Sequence, residues 1–396
     1  HTRLVGDWSS DVCSSDLRMS FSEEQVAFRD NVRRMVARHV APIAAEIDET
    51  DRFPLELVKL FGEMGLMQLW VPERYDGPNG NLTMACIARE EISKVSPACA
   101  SIAALNTMFI MPLLHFGSEE QRRRYLPIIA KGGVVTAIAI SEPGAGGDPA
   151  GMKTRAVLEG EQWVLNGRKI WISNARAADF IIVMARIGND QRQGGITSFI
   201  VEKGTAGFII EREIPMVGGG STYEIVFEDC RIPKDSVLGE VGKGYAPMQL
   251  RLRTRRLEMG STCVGITKRA LDMMCEHAKQ RETFGVRLAE RQAIQWWIAD
   301  ISTRMHACRL MVREAADKTD RGEDIRHEAS MIKVFATEMA YDACDHAMQT
   351  LGALGVTLEL PLNALWQKAR LMRVYEGPSE VHRQAIARRV LGLRGG

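Results

Sequence analysis

The hydrophobic period of this chain changes twice, and that limits its architecture more than any single motif does. Ser22-Glu23-Glu24-Gln25 reads as a capping box. Beyond it Val26, Phe28, Val32, Met35, Val36 and Val40 recur at helical spacing. Helical patterns continue through residues 55–67, 84–95, 98–115 and 119–130, with Pro42 and Pro54 marking turns. Near Gly132 the pattern gives way to short β-rich runs at 134–140, 154–158, 163–165, 169–172, 180–185, 197–202, 208–211 and 223–227. Asn166-Gly167, between two of these runs, predicts a two-residue hairpin turn. From Gly244 long amphipathic patterns return at 246–280, 289–318 and 328–351, with a shorter one at 379–391. The predicted fold is therefore α+β and multidomain. An N-terminal α-helical domain spans 19–132, a small central β-barrel or sandwich domain 133–243, and a C-terminal four-helix-bundle domain 244–396. The strands do not alternate with helices, which disfavours a Rossmann sheet.

A chain of 396 residues can support two or three cores of this kind. Its formal net charge of +1 gives no general attraction to nucleic acid or anionic lipid. No apolar run is expected to reach the roughly 18 residues of a membrane span. The eight cysteines are scattered with no C-x-x-C pair, so buried free thiols are expected. His115, His306 and His382 have no partners at metal-ligand spacing, and they read as ordinary structural histidines with no metal site. No G-x-S-x-G or G-x-x-x-x-G-K-[ST] segment is present. Residues 1–18 read as a non-native leader, because 7–17 match the translation of a sequencing-adapter oligonucleotide. They lack the features of a targeting peptide, which gives a cytoplasmic expectation with Met19 as the first authentic residue.

Three segments stand out. Ile140-Ser141-Glu142-Pro143-Gly144-Ala145-Gly146-Gly147-Asp148 follows a strand and is rich in glycine, which a tight turn alone would explain. Lys169-Ile170-Trp171-Ile172-Ser173-Asn174 is a strand whose tryptophan would ordinarily be core. Arg373-Val374-Tyr375-Glu376-Gly377-Pro378-Ser379-Glu380 places one carboxylate between an aromatic residue and a glycine. Arg251, Arg253, Arg255 and Arg256 form a basic run that a solvated helix face would explain. Arg281-Glu282-Thr283-Phe284-Gly285 stands at a helix end, where cations are ordinarily favoured.

Together, and in this order, these segments resemble the FAD-dependent acyl-CoA dehydrogenases across residues 20–395. The resemblance implies that Ile140, Ser141, Trp171, Ile172 and Ser173 lie against the flavin, and that Pro378 and Glu380 adjoin the cofactor. It also implies that Arg281 and Thr283 hold the pyrophosphate of a neighbouring subunit's FAD, that Phe284 and Gln292 adjoin the cofactor, and that Gln349 and Gly352 receive its adenine half. A cofactor shared in this way makes the active unit a homodimer or homotetramer. Gly147, Arg256, Tyr375 and Gly377 are assigned to substrate. The chain departs from the common pattern at Gly147, often a hydroxylated residue in the family, at Ala353, usually glycine, and at Pro378 and Glu380.

The implied reaction is α,β-dehydrogenation of an acyl-CoA thioester, with Glu376 as the α-proton base and an electron-transfer flavoprotein as acceptor. Some relatives carry the base one position before Arg256, and Arg255 fills that slot here. A solvated carboxylate is a weak base for a thioester α-proton. Tyr375, the flavin and the acyl chain are therefore expected to supply dry surroundings. The acyl wall is expected around residues 105–114. Two other readings keep the fold: a flavin monooxygenase or oxidase, which needs no such glutamate, and a flavin-bearing nucleic-acid-binding relative, which the near-neutral charge disfavours.

Overall fold

A computed structural model describes residues 21–188 and 195–393. The expected leader at 1–18 lies outside the described residues. Ser22 caps α1 (Glu23–Met35) with the reciprocal Ser22–Gln25 hydrogen bonds of the predicted capping box. A π-helical turn, Val36–Val40, leads into α2 (Ala41–Thr50). The helical backbone is continuous from α1 through this turn into α2, and Pro42, which has no N–H to donate, directly follows the π-turn. There follow α3 (Leu55–Glu63), α4 (Leu82–Ser93), α5 (Pro97–Ala103), α6 (Thr107–Phe116) and α7 (Glu119–Ala130).

The single helix expected over 98–115 is two helices. Between them Asn106 is fully buried and donates from Nδ2 to the Val134 carbonyl at 2.9 Å. Its side chain bonds to a distant backbone and marks the break. Pro97–Phe116 also corrects the expectation that no apolar run is of membrane length, since its mean hydropathy reaches 1.6. Of that stretch 78% is buried inside the fold, so it reads as core.

The middle of the chain forms β1 (Thr136–Ala139), β2 (Arg155–Glu159), β3 (Gln162–Ser173), β4 (Phe180–Arg186), β5 (Ile196–Glu202), β6 (Phe208–Ile214), β7 (Thr222–Pro233) and β8 (Val237–Leu238). They make one sheet in the order β6-β7-β3-β2-β4-β5-β8, with β1 parallel on β4. The hairpin expected at Asn166-Gly167 is absent. β3 runs straight through these residues with a register shift against β7 between Leu165 and Gly167. A Cβ at Gly167 would lie 2.6 Å from Thr154 Cα, so the glycine serves close backbone approach rather than a turn. The chain reverses earlier, between paired Glu159 and Gln162, where Gly160 takes φ +62°.

After β8 come α8 (Tyr245–Gln280), a small hairpin of β9 (Glu282–Thr283) and β10 (Val286–Arg287), α9 (Gln292–Asp320), α10 (Arg326–Leu351), α11 (Leu362–Met372) and α12 (Ser379–Val390). Helix α11 was not anticipated. It is 11 residues long and buries Leu362, Leu365, Ala369 and Met372. The bundle core joins these to Leu257, Cys263, Met274, Ile332 and Met339, and it extends to Leu82 and Cys86 of α4. Helix α4 thus packs the first domain onto the bundle, meeting the middle of α8 at Thr262 and Gly265. All seven described cysteines are buried.

Candidate active site

Glu376 lies in the turn between α11 and α12, with φ +57°, and Gly377 follows at +93°. A non-glycine residue in this region costs about 1–3 kcal/mol and persists only where its surroundings enforce it. Two donors converge on the Glu376 carbonyl: Arg256 Nε at 3.1 Å and His382 Nε2 at 3.2 Å. A carbonyl can only accept, so the proton of His382 is on Nε2. Burial, and then the charge of Arg256, lower the His382 imidazole to about 4, which keeps it neutral. A Cβ on Gly377 would stand 2.8 Å from His382 Nε2. Lys333, fully buried, donates to the Arg373 carbonyl at 2.9 Å and anchors the start of the turn.

Within the chain itself, the Glu376 carboxylate faces a guanidinium. Arg251 grips it through Nη1 to Oε2 at 2.8 Å and Nη2 to Oε1 at 2.7 Å. Both side chains are nearly buried, at 6% and 10% exposure. Arg255 Nε lies 3.9 Å from Oε1 and pairs more closely with the buried Glu258 at 3.0 Å. Arg251 and Arg255 therefore point into the protein, which corrects the reading of this run as a solvated face. Arg253 remains closer to that reading, pairing with Asp324 at 3.1 Å. Tyr375 packs against the bundle core, and burial pushes its hydroxyl up to about 12.

A second group of residues gathers around the buried ion pair of Lys169 and Glu142, 2.8 Å apart. Lys169 Nζ also donates to the Ile140 carbonyl at 3.0 Å, and the Ile170 N–H to the Ser141 carbonyl at 2.9 Å. The other acceptor positions of Glu142 take the N–H groups of Lys153 and Thr154. Ile140 and Ser141 are thereby held beside Trp171, Ile172 and Ser173. Trp171 is not core. It is 51% exposed, at φ +62°, where β3 shifts register between Lys169 and Ile172. The bulge turns the ring outward. Ile172 is buried and Ser173 exposed. The loop continues to Gly147, whose notional Cβ lies 3.9 Å from Val381 Cγ2 on α12. Gly147 thus reaches the helix that carries His382 and begins after Pro378, with Glu380 exposed in its first turn.

The remaining expected residues stand elsewhere in the bundle. Arg281, Thr283 and Phe284 belong to the hairpin after α8, and Gln292 opens α9. Phe284 sits at the hairpin tip at φ +54° and is 98% exposed. Arg291 braces it, with Nη2 2.6 Å from the Thr283 carbonyl and the guanidinium 5.8 Å from the Phe284 ring centre. Gln349 and Gly352 are exposed at the C-terminal end of α10.

Arg251, His382, Lys169 and Arg291 were missed by the sequence reading as site residues. Arg251 had a signal, since Arg251, Thr254, Arg255, Glu258 and Thr262 recur at helical spacing on one face of α8. His382 had none, because its role depends on the fold of the preceding turn.

Comparison with known proteins identifies this architecture. The chain matches the acyl-CoA dehydrogenase N-terminal domain at residues 22–133, the middle domain at 137–230 and the C-terminal domain at 242–391. It is 36% identical to an acyl-CoA dehydrogenase of Bacillus subtilis strain 168, over 94% of this chain and 100% of the relative. Butyryl-CoA dehydrogenase from Megasphaera elsdenii superposes with a TM-score of 0.89 at 29% identity, covering 94% of this chain and 99% of that one. A structure described for the electron transferring flavoprotein of Acidaminococcus fermentans gives 0.90 at 33% identity, covering 94% and 99%. Fold and comparisons together define an FAD-dependent oxidoreductase. The chain belongs to the acyl-CoA dehydrogenase family.

The residues present fit the cofactor. Gly144 and Gly146 have open space where a side chain would stand, so backbone can meet a ligand there. Trp171 and Phe284 offer exposed rings on strained backbone, and Arg281 an exposed cation.

Proposed function

We propose that this enzyme dehydrogenates a short acyl-CoA thioester between Cα and Cβ, with Glu376 as the base, and passes the electrons to an electron-transfer flavoprotein. The observation that carries the reading is the conformation of Glu376. Its backbone is held at positive φ by Arg256 and His382, with Gly377 beside it and the Gly147 loop against α12. FAD, when bound, would supply the hydride acceptor for Cβ. Glu376 takes the Cα proton, and the electrons of that C–H bond become the new C=C bond. Ile140, Ser141, Trp171, Ile172 and Ser173 would hold the flavin ring in reach of the substrate. The Glu376 N–H is a donor for the thioester oxygen as negative charge develops on it.

A short acyl group and an electron-transfer flavoprotein accord with the names of the Megasphaera and Acidaminococcus structures. Phe284 and Arg281 on one element, and Gln349 and Gly352 on another, would hold two parts of an FAD shared between subunits, which makes the active unit at least a dimer. Glu376→Gln tests the central assignment. The variant should retain bound flavin and lose dehydrogenation. Near-normal turnover with an acyl-CoA would remove Glu376 as the base.

A further inference from the structure

We propose that Arg251 is the receptor for a carboxylate carried on the acyl group, so that the preferred substrate is a short dicarboxylyl-CoA thioester. The inference rests on the dehydrogenase reading above for the place of the acyl chain, and on this chain's own geometry for the charge.

A base fully engaged by a buried arginine is poorly placed for proton abstraction. If Glu376 takes up a proton where it stands, a buried ion pair is lost and Arg251 is left with uncompensated charge. A neutral acyl chain does nothing to relieve this, because it brings no acceptor. A carboxylate on the substrate does. It gives Arg251 a new partner and leaves the Glu376 carboxylate to face the α-carbon.

Arg251 has an edge for such a partner. Its end-on fork, Nη1 and Nη2, holds Glu376. Its side edge, Nε and Nη2, does not meet a good acceptor. Nε is buried with no hydrogen-bond partner, and the neighbour of Nη2 on that side is the thioether of Met108 at 2.8 Å. Thioether sulfur is a weak acceptor for a guanidinium. The side edge of a guanidinium matches a carboxylate through two parallel N–H···O bonds. Met108 belongs to α6, in the segment expected to wall the acyl chain. The unpaired edge of Arg251 therefore faces the segment expected to wall the acyl group.

The surroundings carry an excess of positive charge. Arg89, Arg251, Arg255 and Arg256 crowd this part of the protein, with Arg89 and Arg251 only 2% and 5% exposed. The facing carboxylates are Glu258, taken by Arg255, and Glu376. An incoming anion lowers that imbalance, and a neutral chain leaves it. The receptor adjoins the base itself, so the substrate carboxylate must lie only a few bonds from the α-carbon. That selects short diacids over long ones.

The test uses the FAD-loaded enzyme with glutaryl-CoA and pentanoyl-CoA, which share chain length and the CoA moiety and differ in the terminal carboxylate. Two readouts keep this proposal separate from the function it rests on. Anaerobic flavin bleaching should give glutaryl-CoA about a 100-fold advantage in kcat/KM, the scale expected for a buried, hydrogen-bonded charge pair. Calorimetric binding to the Glu376→Gln variant should show glutaryl-CoA tighter by a similar factor. Arg251→Met should abolish both advantages, and Arg251→Lys, which keeps the charge but not the fork, should restore them in part. Equal bleaching and equal binding by the two thioesters would overturn the proposal while leaving the dehydrogenase reading intact. If neither thioester bleaches the flavin but glutaryl-CoA still binds more tightly, the receptor stands and the dehydrogenase reading falls.

Discussion

Lys169 Nζ and Glu142 Oε1 lie 2.8 Å apart with both side chains buried, and this pair joins the glycine-rich loop to the bulge that carries Trp171. Burial lowers the Lys169 ammonium to about 8, with Glu142 opposing that shift. Replacing Lys169 with methionine strands the Glu142 charge in the interior. Such a loss costs about 3–5 kcal/mol. Lys169→Met is expected to lower the denaturation midpoint and to shed flavin on gel filtration. An unchanged midpoint with full flavin content would show that the pair does not organise this loop.

His382 gives stability a specific pH dependence. Its folded value of about 4 lies below the ordinary 6.5. Between those values the unfolded chain binds a proton that the folded chain does not. Stability from this group is therefore complete above about pH 6.5 and is lost as pH falls toward 4, to a total of about 3 kcal/mol. His382→Gln keeps a donor for the Glu376 carbonyl and removes the titration. Denaturant curves at several pH values should show a shallower acid slope for the variant. Parallel slopes would exclude His382 as the source.

Gly377→Ala forces a Cβ to within 2.8 Å of His382 Nε2 at a residue with φ +93°. The strain is about 1–3 kcal/mol. The larger consequence is displacement of the Glu376 backbone. Flavin should stay bound while the rate of flavin reduction by substrate falls at least tenfold. Wild-type reduction kinetics would mean that the turn tolerates the methyl group without moving Glu376.

Phe284 separates subunit stability from assembly. Its ring is almost fully exposed within one chain, so Phe284→Asn, which tolerates positive φ, should change subunit stability by no more than about 0.5 kcal/mol. The same change should weaken flavin retention or subunit association, read by flavin absorbance and sedimentation. If neither moves, the hairpin tip contacts neither cofactor nor partner.

Much of the fold was legible because helical and strand periods are set by residues close in sequence. The capping box at Ser22 and the long patterns of α8, α9 and α10 have this local character. Where the reading failed, a distant contact outweighed a local preference. Asn166-Gly167 looks like a turn, but its glycine admits the backbone at Thr154, and Asn166 exchanges hydrogen bonds with Asp229. Trp171 looks like core, but a register shift against β7 turns it outward.

The sequence by itself determined the helix–strand–helix order, the family resemblance and the carboxylate at Glu376, because each is carried by adjacent residues. Only the tertiary structure decided what Glu376 faces. Arg251 is 125 positions away, and its neighbours in sequence describe a basic helix face. Which of those arginines turns inward depends on how α8 packs beneath the turn before α12. A buried charge takes its meaning from the partner that packing brings to it.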